Sequence, residues 1–315
     1  MKFTQSLLLA LKGCAMGMAD VVPGVSGGTI AFISGIYEEL IEAIRSVNLK
    51  ALKLLLHGQF LAFWNHVHGA FLLPVLLGVG FSILSLAKLM TFLLANYPIQ
   101  IWSFFFGLII ASAALVAKDV GRWDLKSVLS MLVGVAVAWW ITVSSPAQTP
   151  NDWWFVMLSG AVAICAMILP GISGAFILLL LGKYQYIIGA VGELNIPVIA
   201  VFGVGAVAGI ISFSHLLSWL LNRFHDLTIA LLMGFMLGSL NKVWPWKQTL
   251  SEVADAHGKM IPVEQANILP RTFETLNEGE NAHLFEAFVL MLVGLGAIYL
   301  IELTAKMLLR KKTEK

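Results

Sequence analysis

The chain has 315 residues, of which 59% are hydrophobic and 12% are charged, and its mean hydropathy is +0.87. These values exclude an ordinary soluble domain and indicate an integral membrane protein. The net charge of +2 says little by itself, and we predict no nucleic-acid partner. Cys14 and Cys165 stand apart in apolar stretches without a CxxC motif, so we predict packing roles, no metal site and no cofactor.

The N-terminal apolar run, 3–11, lies between Lys2 and Lys12. It is shorter and more abruptly charged than a typical cleaved signal sequence. We therefore expect the chain to keep its first residues.

The next feature is the motif Pro23-Gly24-Val25-Ser26-Gly27, which interrupts an apolar stretch. Proline fixes φ and lacks an N–H, and glycine permits unusual backbone angles, so the motif is typical of a broken helix. From Gly13 to the break there are only about ten residues, roughly 15 Å of helix, whereas a span needs about 20 residues. The pattern predicts a re-entrant helical hairpin at about 13–44.

One amphipathic segment and three apolar segments complete the first half. Residues 50–68 are typical of a helix at the membrane interface, and their histidines lack the spacing of a metal site. The apolar segments at about 70–95, 101–117 and 127–144 predict transmembrane helices. We assign residues 1–150 to a first repeat.

The second half repeats this order. The motif returns as Pro170-Gly171-Ile172-Ser173-Gly174 within a predicted re-entrant hairpin at about 153–191. Apolar segments follow at about 197–221, 227–241 and 284–305, with a long loop at 242–283, so we assign residues 151–315 to a second repeat of one membrane domain.

Several residues recur at constant offsets between the two halves. Gly78 and Gly107 match Gly205 and Gly234 at an offset of 127, and 131–134 matches 291–294 at an offset of 160. Nine residues of the first hairpin recur 147 positions later: Gly13, Pro23, Gly24, Ser26, Gly27, Ile30, Gly35, Tyr37 and Ala43 match Gly160, Pro170, Gly171, Ser173, Gly174, Ile177, Gly182, Tyr184 and Ala190.

The distribution of Lys and Arg predicts the orientation in the membrane. Fourteen of the 20 lie in segments that share a side with the N-terminus, whereas the connections 96–100, 144–152 and 190–196 contain none. This pattern predicts six spans with both termini in the cytoplasm.

Because three spans per repeat is an odd number, the second repeat is inverted relative to the first, and the two Pro-Gly-x-Ser-Gly tips meet near the middle of the membrane. The predicted fold class is an all-α integral membrane protein with an inverted repeat, each copy a re-entrant hairpin plus three transmembrane helices.

Each tip has the chemistry of an anion site. A helix restarts just after the glycines, and its free N–H groups and positive dipole end favour negative charge. Ser26, Thr29 and Ser173 add hydroxyl groups. Two tips that face each other predict a cradle for one phosphate or carboxylate. The alternative is that the glycines serve only close helix packing, as small residues do in membranes.

Four ionisable residues within or near the predicted membrane segments are functional candidates, because charges within a bilayer are costly. Asp20 either binds a coupling proton or sodium ion or caps the broken helix. Lys88 either pairs with the anion or extends to the outer headgroups. His215, which matches Lys88 at the offset of 127, and Glu38 are further ion-coupling candidates, with helix packing and a solvated helix end as their alternatives.

Two other functional classes share parts of this pattern. The segment 24–28 fits the G-x-S-x-G of serine hydrolases, and 171–174 looks like the G-x-S-G of rhomboid-type intramembrane proteases, with His215 as a conceivable base. Because the serine is repeated and the histidine is not, we predict that the protein is not an enzyme. A passive anion channel has the same composition as a carrier. No GxxxxGK[ST] motif is present, so the chain itself does not use ATP.

The segments 17–29, 35–38 and 169–174 resemble the bacterial polyprenyl-phosphate transporter family, and the resemblance covers essentially the whole chain. It implies a protein of the bacterial cytoplasmic membrane that moves undecaprenyl phosphate from the outer to the inner leaflet, so that this lipid carrier of peptidoglycan and other envelope polymers is reused. A proton or sodium gradient is the expected driving force.

The second copy has Ala175 and Phe176 in place of Gly28 and Thr29, so the two tips should contribute unequally. The predicted substrate-binding residues are Pro23, Gly24, Ser26, Gly27, Gly28, Thr29, Pro170, Gly171, Ser173, Gly174 and Lys88.

Overall fold

The computed structural model describes residues 3–20, 26–147, 149–254, 260–277 and 280–313. Within these ranges the side chains of 3, 84, 86–88, 91, 253–254, 260–264 and 301–313 are not described. The elements in chain order are α1 (Phe3–Asp20), α2 (Gly27–Ile33), α3 (Tyr37–Arg45), α4 (Leu49–Leu56), α5 (Phe60–His66), α6 (Gly69–Asn96), α7 (Pro98–Val116), α8 (Leu125–Val143), α9 (Trp153–Ile168), α10 (Gly174–Leu180), α11 (Tyr184–Gly192), α12 (Ile196–Arg223), α13 (His225–Ser239), β1 (Lys247–Ala254), β2 (Met260–Asn267), α14 (Pro270–Leu276) and α15 (Leu284–Thr313).

The helix before the first break is longer than predicted. α1 has 18 residues and runs through Lys12, because the ammonium group of this lysine donates a hydrogen bond to the carbonyl oxygen of Ser34 at 2.7 Å. Ser34 is the residue that ends α2, so the lysine satisfies one of the free carbonyl groups at that helix end. The short apolar run and the first arm of the predicted hairpin therefore form one continuous helix.

A helix is present over each of the six segments predicted as spans, namely α6, α7, α8, α12, α13 and α15. By length and hydropathy, three helical stretches of the described residues can cross a membrane: Pro98–Asp119, Leu125–Val143 and Ile196–Arg223. The number rises to as many as five if two sharply bent helix pairs, α5 with α6 and α10 with α11, each count as one span. The chain is thus a multi-pass helical membrane protein, and the total of six spans stays a prediction.

The two broken-helix segments end their central helices in the same way. Gly35 after α2 and Gly182 after α10 are 147 positions apart, and both have left-handed backbones, with φ of 70° and 61°. The N–H of the next residue bonds to the carbonyl oxygen five residues earlier, at 3.0 Å in the first copy and 2.8 Å in the second. This is a Schellman cap, for which glycine is favoured because it lacks a Cβ. The sequence repeat is therefore also a repeat of local structure.

Glycines set the closest helix contacts. The helix pairs with the most extensive contacts are α1–α6, α9–α12, α7–α15 and α8–α13. A Cβ atom on Gly13 would overlap the carbonyl oxygen of Val75, and one on Gly160 would overlap that of Phe202. These contacts are equivalent, because Gly160 follows Gly13 by 147 positions and Phe202 follows Val75 by 127. The glycines serve close packing here, as small residues do between membrane helices.

The later helices exchange partners between the halves. α7 of the first half packs on α15 of the second, and α13 of the second half packs on α8 of the first. Gly107 lies against the backbone of Met291, and Gly234 lies against the backbone of Met131. These contacts are equivalent at the offsets of 127 and 160. The two halves are therefore interlocked and share one central hydrophobic core.

The all-α prediction missed a two-stranded antiparallel sheet. β1 pairs with β2 inside the segment 242–283, which was predicted to be a loop. The segment is anchored by Trp244 and Trp246, whose indole N–H groups donate to the carbonyl oxygens of Ile268 and Ala282, each at 2.9 Å. Because the strands contain about as many polar as apolar residues, their hydropathy does not distinguish them from a loop.

Gly203 and Gly205 provide a matched test of the helix contacts, because both lie on α12. A Cβ on Gly205 would overlap the carbonyl oxygen of Met157 in α9, whereas nothing lies within 4 Å of a Cβ on Gly203. We expect Gly205→Ala to lower the free energy of unfolding by about 1–3 kcal/mol through overpacking. Gly203→Ala should be neutral or stabilising by up to ~1 kcal/mol, because alanine is the better helix former. Thermal unfolding in detergent measures both, and equal melting temperatures would contradict the contact.

Candidate functional site

The first tip, residues 20–29, joins α1 to α2. Pro23 and Gly24, predicted to bind substrate, lie outside the described residues. Ser26 occupies the N-cap of α2, where its Oγ accepts a hydrogen bond from the Gly28 N–H at 3.0 Å. Serine is favoured at this position because its hydroxyl satisfies an N–H that has no partner inside the helix. The chain thus restarts a helix where the sequence predicted it.

Asp20, the last residue of α1, lies against the start of α2. Its Oδ1 accepts a hydrogen bond from the Gly27 N–H at 2.7 Å. A Cβ atom on Gly27 would collide with this carboxylate, so the glycine permits the close approach. A negative side chain is favourable at this end of a helix. In this structure Asp20 therefore caps the broken helix, which is one of the two roles that the sequence allowed.

The second tip, residues 167–176, joins α9 to α10. Pro170 and Gly171 lie in a buried turn, and Gly171 has a φ of 84°. The Gly171 N–H donates to Thr29 Oγ1 of the first tip at 2.9 Å. Ser173 is the N-cap of α10 and accepts a long hydrogen bond of 3.5 Å from the Phe176 N–H. The second tip thus repeats the serine cap of the first.

The two tips are in direct contact. Ser26 Oγ donates to the carbonyl oxygen of Met167 at 2.9 Å, and the Tyr37 hydroxyl donates to that of Ile168 at 3.3 Å. Gly28 lies against the same Ile168 carbonyl, where any Cβ would overlap the oxygen. These bonds satisfy carbonyl groups at the end of α9 that have no partner within the helix.

Tyr37 and Gly174 also make contacts at the tips, and of these the sequence analysis considered only the close packing of the glycine. Tyr37 was noted only as part of the repeat, and its recurrence as Tyr184 was the available signal. Gly174, predicted to bind substrate, lies against the backbone of Ala163, and a Cβ atom added to it would lie 2.6 Å from the Ala163 carbonyl oxygen. The close contact explains why a glycine is required at the start of α10.

The groups predicted to hold an anion already have partners within the protein. The N–H groups of Gly27, Gly28 and Gly171 are bonded to Asp20, Ser26 and Thr29. The side chains of Ser26, Thr29 and Ser173 are buried. An anionic ligand at the tips therefore has to replace internal partners, and Asp20 is the partner that carries a carboxylate.

Of the other ionisable candidates, His215 and Glu38 lie close to groups outside the two tips. Lys88 belongs to α6, but its side chain lies outside the described residues. His215 is exposed on α12, with Nδ1 2.8 Å from the carbonyl oxygen of Ile211. Glu38 is exposed near the start of α3, and its Oε1 is 3.3 Å from Nε2 of His225.

A hydrolytic site needs a base next to its serine. In the part of the chain that the structure describes, no hydrogen bond joins His215 to Ser26 or Ser173. The same described residues contain no group of three or more His, Cys, Asp or Glu that could hold a metal ion. The geometry of the tips is that of a polar helix junction.

Two lysines beside the second tip were missed by the sequence analysis, which left them in a long outer loop. Lys242 follows α13, and its Nζ lies 4.4 Å from the ring centre of Phe176 in the first turn of α10. Burial lowers the pKa of Lys242 to about 8. Lys247 begins β1, and burial together with the nearby charge of Lys242 lowers its pKa well below the usual value. The available signal was the alternation of lysine and tryptophan in Lys242-Val-Trp-Pro-Trp-Lys247.

Comparison with known proteins indicates the family to which this chain is similar. The family whose model matches the chain is described as undecaprenyl phosphate translocase-like, and the match covers residues 16–261, which include both tips. The chain is 47% identical over 288 residues to a polyprenyl-phosphate transporter of Vibrio cholerae, covering 91% of this chain and 93% of that protein. It is 32% identical over 253 residues to a polyprenyl-phosphate transporter of Staphylococcus aureus, covering 75% and 85%. No solved structure matches the chain.

Thr29 tests the contact between the tips. Thr29→Val keeps the shape of the side chain but leaves the buried Gly171 N–H without its acceptor, and an unsatisfied buried donor costs about 1–3 kcal/mol of stability. Thr29→Ser keeps the hydroxyl and should stay closer to the wild type. Thermal unfolding in detergent measures both variants. If valine and serine lower the melting temperature equally, the hydroxyl bond does not hold the tips together.

Proposed function

Because the chain belongs to the undecaprenyl phosphate translocase-like family, we propose that it transports undecaprenyl phosphate across the bacterial cytoplasmic membrane. The proposed direction is from the outer to the inner leaflet, which returns the lipid carrier of envelope polymers for another round of use. The observation that carries the proposal is the 47% identity to a polyprenyl-phosphate transporter over nearly the whole of both chains.

The proposed headgroup site lies between the two tips. Backbone N–H groups at glycine turns bind phosphate oxygens well, and the first tip presents such a group at Gly27, now bonded to the Asp20 carboxylate. A phosphate that enters the site takes over this N–H, and Asp20 gives it up. The substrate-binding residues are those predicted from sequence, with Ser26, Thr29 and Ser173 as the hydroxyl groups and Lys88 as the predicted cation. The polyprenyl tail stays in the lipid during transport.

This exchange gives Asp20 a role in ion coupling. A carboxylate competes with phosphate for the Gly27 N–H, whereas a protonated or sodium-bound Asp20 competes less. Binding of the coupling ion therefore favours release of Asp20 from α2 and entry of the headgroup. Glu38, beside His225 at the exposed end of α3, and His215 on α12 are further coupling candidates.

Transport by such a carrier requires access from each side in turn, which an inverted repeat supplies by rocking of its parts. The exchange of helix partners limits how the halves can move, because α7 and α13 are packed on helices of the opposite half. We therefore propose that the broken-helix segments move against the interlocked helices. Both termini lie in the cytoplasm in this proposal.

The direct test is transport by the purified chain in liposomes. Fluorescently labelled undecaprenyl phosphate is placed in both leaflets, and an impermeant quencher reports the loss of the outer population over time. We expect faster loss than in empty liposomes, with a rate that depends on an imposed proton or sodium gradient. No acceleration under any gradient would refute lipid transport, and an equal rate under all gradients would refute coupling.

Asp20→Asn tests the coupling role. The amide still offers an oxygen to the Gly27 N–H but cannot gain or lose a proton, so transport should lose its dependence on the gradient while the protein keeps its fold. We expect the rate under an optimal gradient to fall by about tenfold or more, a loss of at least ~1.4 kcal/mol of transition-state stabilisation. Glu193→Gln, an exposed acid next to α11, is the matched control and should transport normally. Retained gradient dependence in Asp20→Asn would remove Asp20 from the coupling mechanism.

A further inference from the structure

A small cavity lies beside the second tip and is lined by both lysines missed in the sequence. Its volume is about 180 Å³, and its walls come from the end of α8, the first turn of α10 and the sheet of β1 and β2. We call it the Lys242–Lys247 pocket. The end of α8 leads into the connection 144–152, and an adjoining cavity is lined by residues of 96–100. The charge pattern predicts that both connections lie on the outer side.

Lys242 connects this pocket to the tip. Its Nζ lies 4.4 Å from the ring centre of Phe176, three residues after Ser173. Lys247 is held from the other side, with its Nζ 4.1 Å from the ring centre of Trp102 in α7. The Lys247 ammonium also donates to the carbonyl oxygen of Lys242 at 2.5 Å. Aromatic faces position a cation but leave its charge unneutralised.

The two ammonium groups lack an acidic partner among the described residues, where no carboxylate lies within 4 Å of either Nζ. Glu286 lines the adjoining cavity but is bonded to Gln100 at 2.7 Å and His283 at 3.2 Å. Burial lowers the pKa of both lysines, and the two like charges lower that of Lys247 further. Uncompensated, partly buried cations of this kind are costly and favour an anionic ligand.

Lys183 is a buried lysine with a structural role, and it differs from Lys242 in its hydrogen-bond acceptors. Its side chain is buried, and its Nζ donates to the carbonyl oxygen of Thr149 at 2.7 Å and to Asn151 Oδ1 at 2.6 Å. Lys242 has no such acceptors among the described residues, although its surroundings include polar groups. Asn241 and Asn267 line the pocket and hydrogen-bond to each other at 2.8 Å. The pocket is thus polar and cationic, and its Lys242 ammonium group has no hydrogen-bond acceptor among the described residues.

We propose that the Lys242–Lys247 pocket binds a phosphate monoester, the headgroup of a polyprenyl phosphate that enters from the outer leaflet, and passes it to the second tip. This inference rests on the proposed function. The volume suits a headgroup, because pockets for whole drug-sized ligands measure about 300–1,000 Å³. Lysines bind phosphate as point charges and so leave the anion free to move on. The contact between Lys242 and Phe176 places the pocket next to the first turn of α10, where the second tip ends.

The test compares charge-matched variants of the full chain in detergent. The probes are geranylgeranyl monophosphate, inorganic phosphate and uncharged geranylgeraniol, with affinities from isothermal titration calorimetry. We expect Lys242→Gln and Lys247→Gln each to raise the Kd for the lipid phosphate by about tenfold or more, the loss of one charged contact. Lys242→Arg should recover part of the affinity. Arg271→Gln, an exposed cation of α14 in the same segment, is the control and should stay within about twofold of wild type.

The outcomes separate this inference from the proposed function. If wild type transports the lipid while both glutamine variants bind it with wild-type affinity, the pocket assignment falls and the function stands. Binding of inorganic phosphate alone, with the same lysine dependence, would identify a free-phosphate site and overturn the lipid headgroup. If wild type binds neither phosphate, both proposals fail. Geranylgeraniol should not bind through the lysines, and a lysine-dependent affinity for it would refute charge recognition.

A second measurement needs no variant. An amine-reactive ester at pH 8 should acylate Lys242 of the wild-type chain, because its pKa of about 8 leaves much of the amine unprotonated. Geranylgeranyl monophosphate should protect Lys242 and leave exposed Lys53 unprotected, as read by peptide mass spectrometry. Equal labelling of Lys242 with and without the lipid phosphate would overturn the pocket.

Discussion

The constraint on which this structure depends is the pairing of backbone groups where helices break inside an apolar protein. Water is scarce at such breaks, so each free N–H and carbonyl needs a partner from the protein. The two tips supply these partners to each other, through Thr29 with the Gly171 N–H and Ser26 with the Met167 carbonyl. The broken helices therefore depend on one another, and a substitution that removes a partner in one tip also leaves a backbone group of the other tip unpaired.

The same pairing constrains the mechanism. A tip with free N–H groups would bind any small anion, whereas here the Asp20 carboxylate already occupies the Gly27 N–H. The proposed substrate must compete with an internal anion of the same sign, and a coupling ion on Asp20 changes that competition. The second tip has Met167 at the equivalent position and cannot act in this way. The two tips therefore differ chemically, because the first has a carboxylate where the second has a methionine.

Local features were predictable from sequence, and pairings between distant segments were not. The apolar stretches mark the positions of α6, α7, α8, α12, α13 and α15, because hydropathy reports burial in lipid or protein directly. The sheet was missed because β1 and β2 contain about as many polar as apolar residues. α1 was predicted too short because Lys12 bonds to Ser34, which lies 22 residues away in the sequence. The exchange of helix partners was also missed. Glycine positions show that a helix is approached closely, but not which helix approaches it.

The charges near the tips favour binding and release of an anion at different places along the proposed path. On the predicted outer side, Lys242 and Lys247 are partly buried cations without acidic partners among the described residues, and they favour the arrival of an anion. At the first tip the Asp20 carboxylate has the opposite sign and favours its departure once the coupling ion leaves. An anion that moves from the lysines to the tips is therefore attracted by the ammonium groups first and then repelled by the Asp20 carboxylate. Because the repulsion exists only when Asp20 is ionised, the gradient of the coupling ion, rather than the fixed charges, decides the net direction of transport.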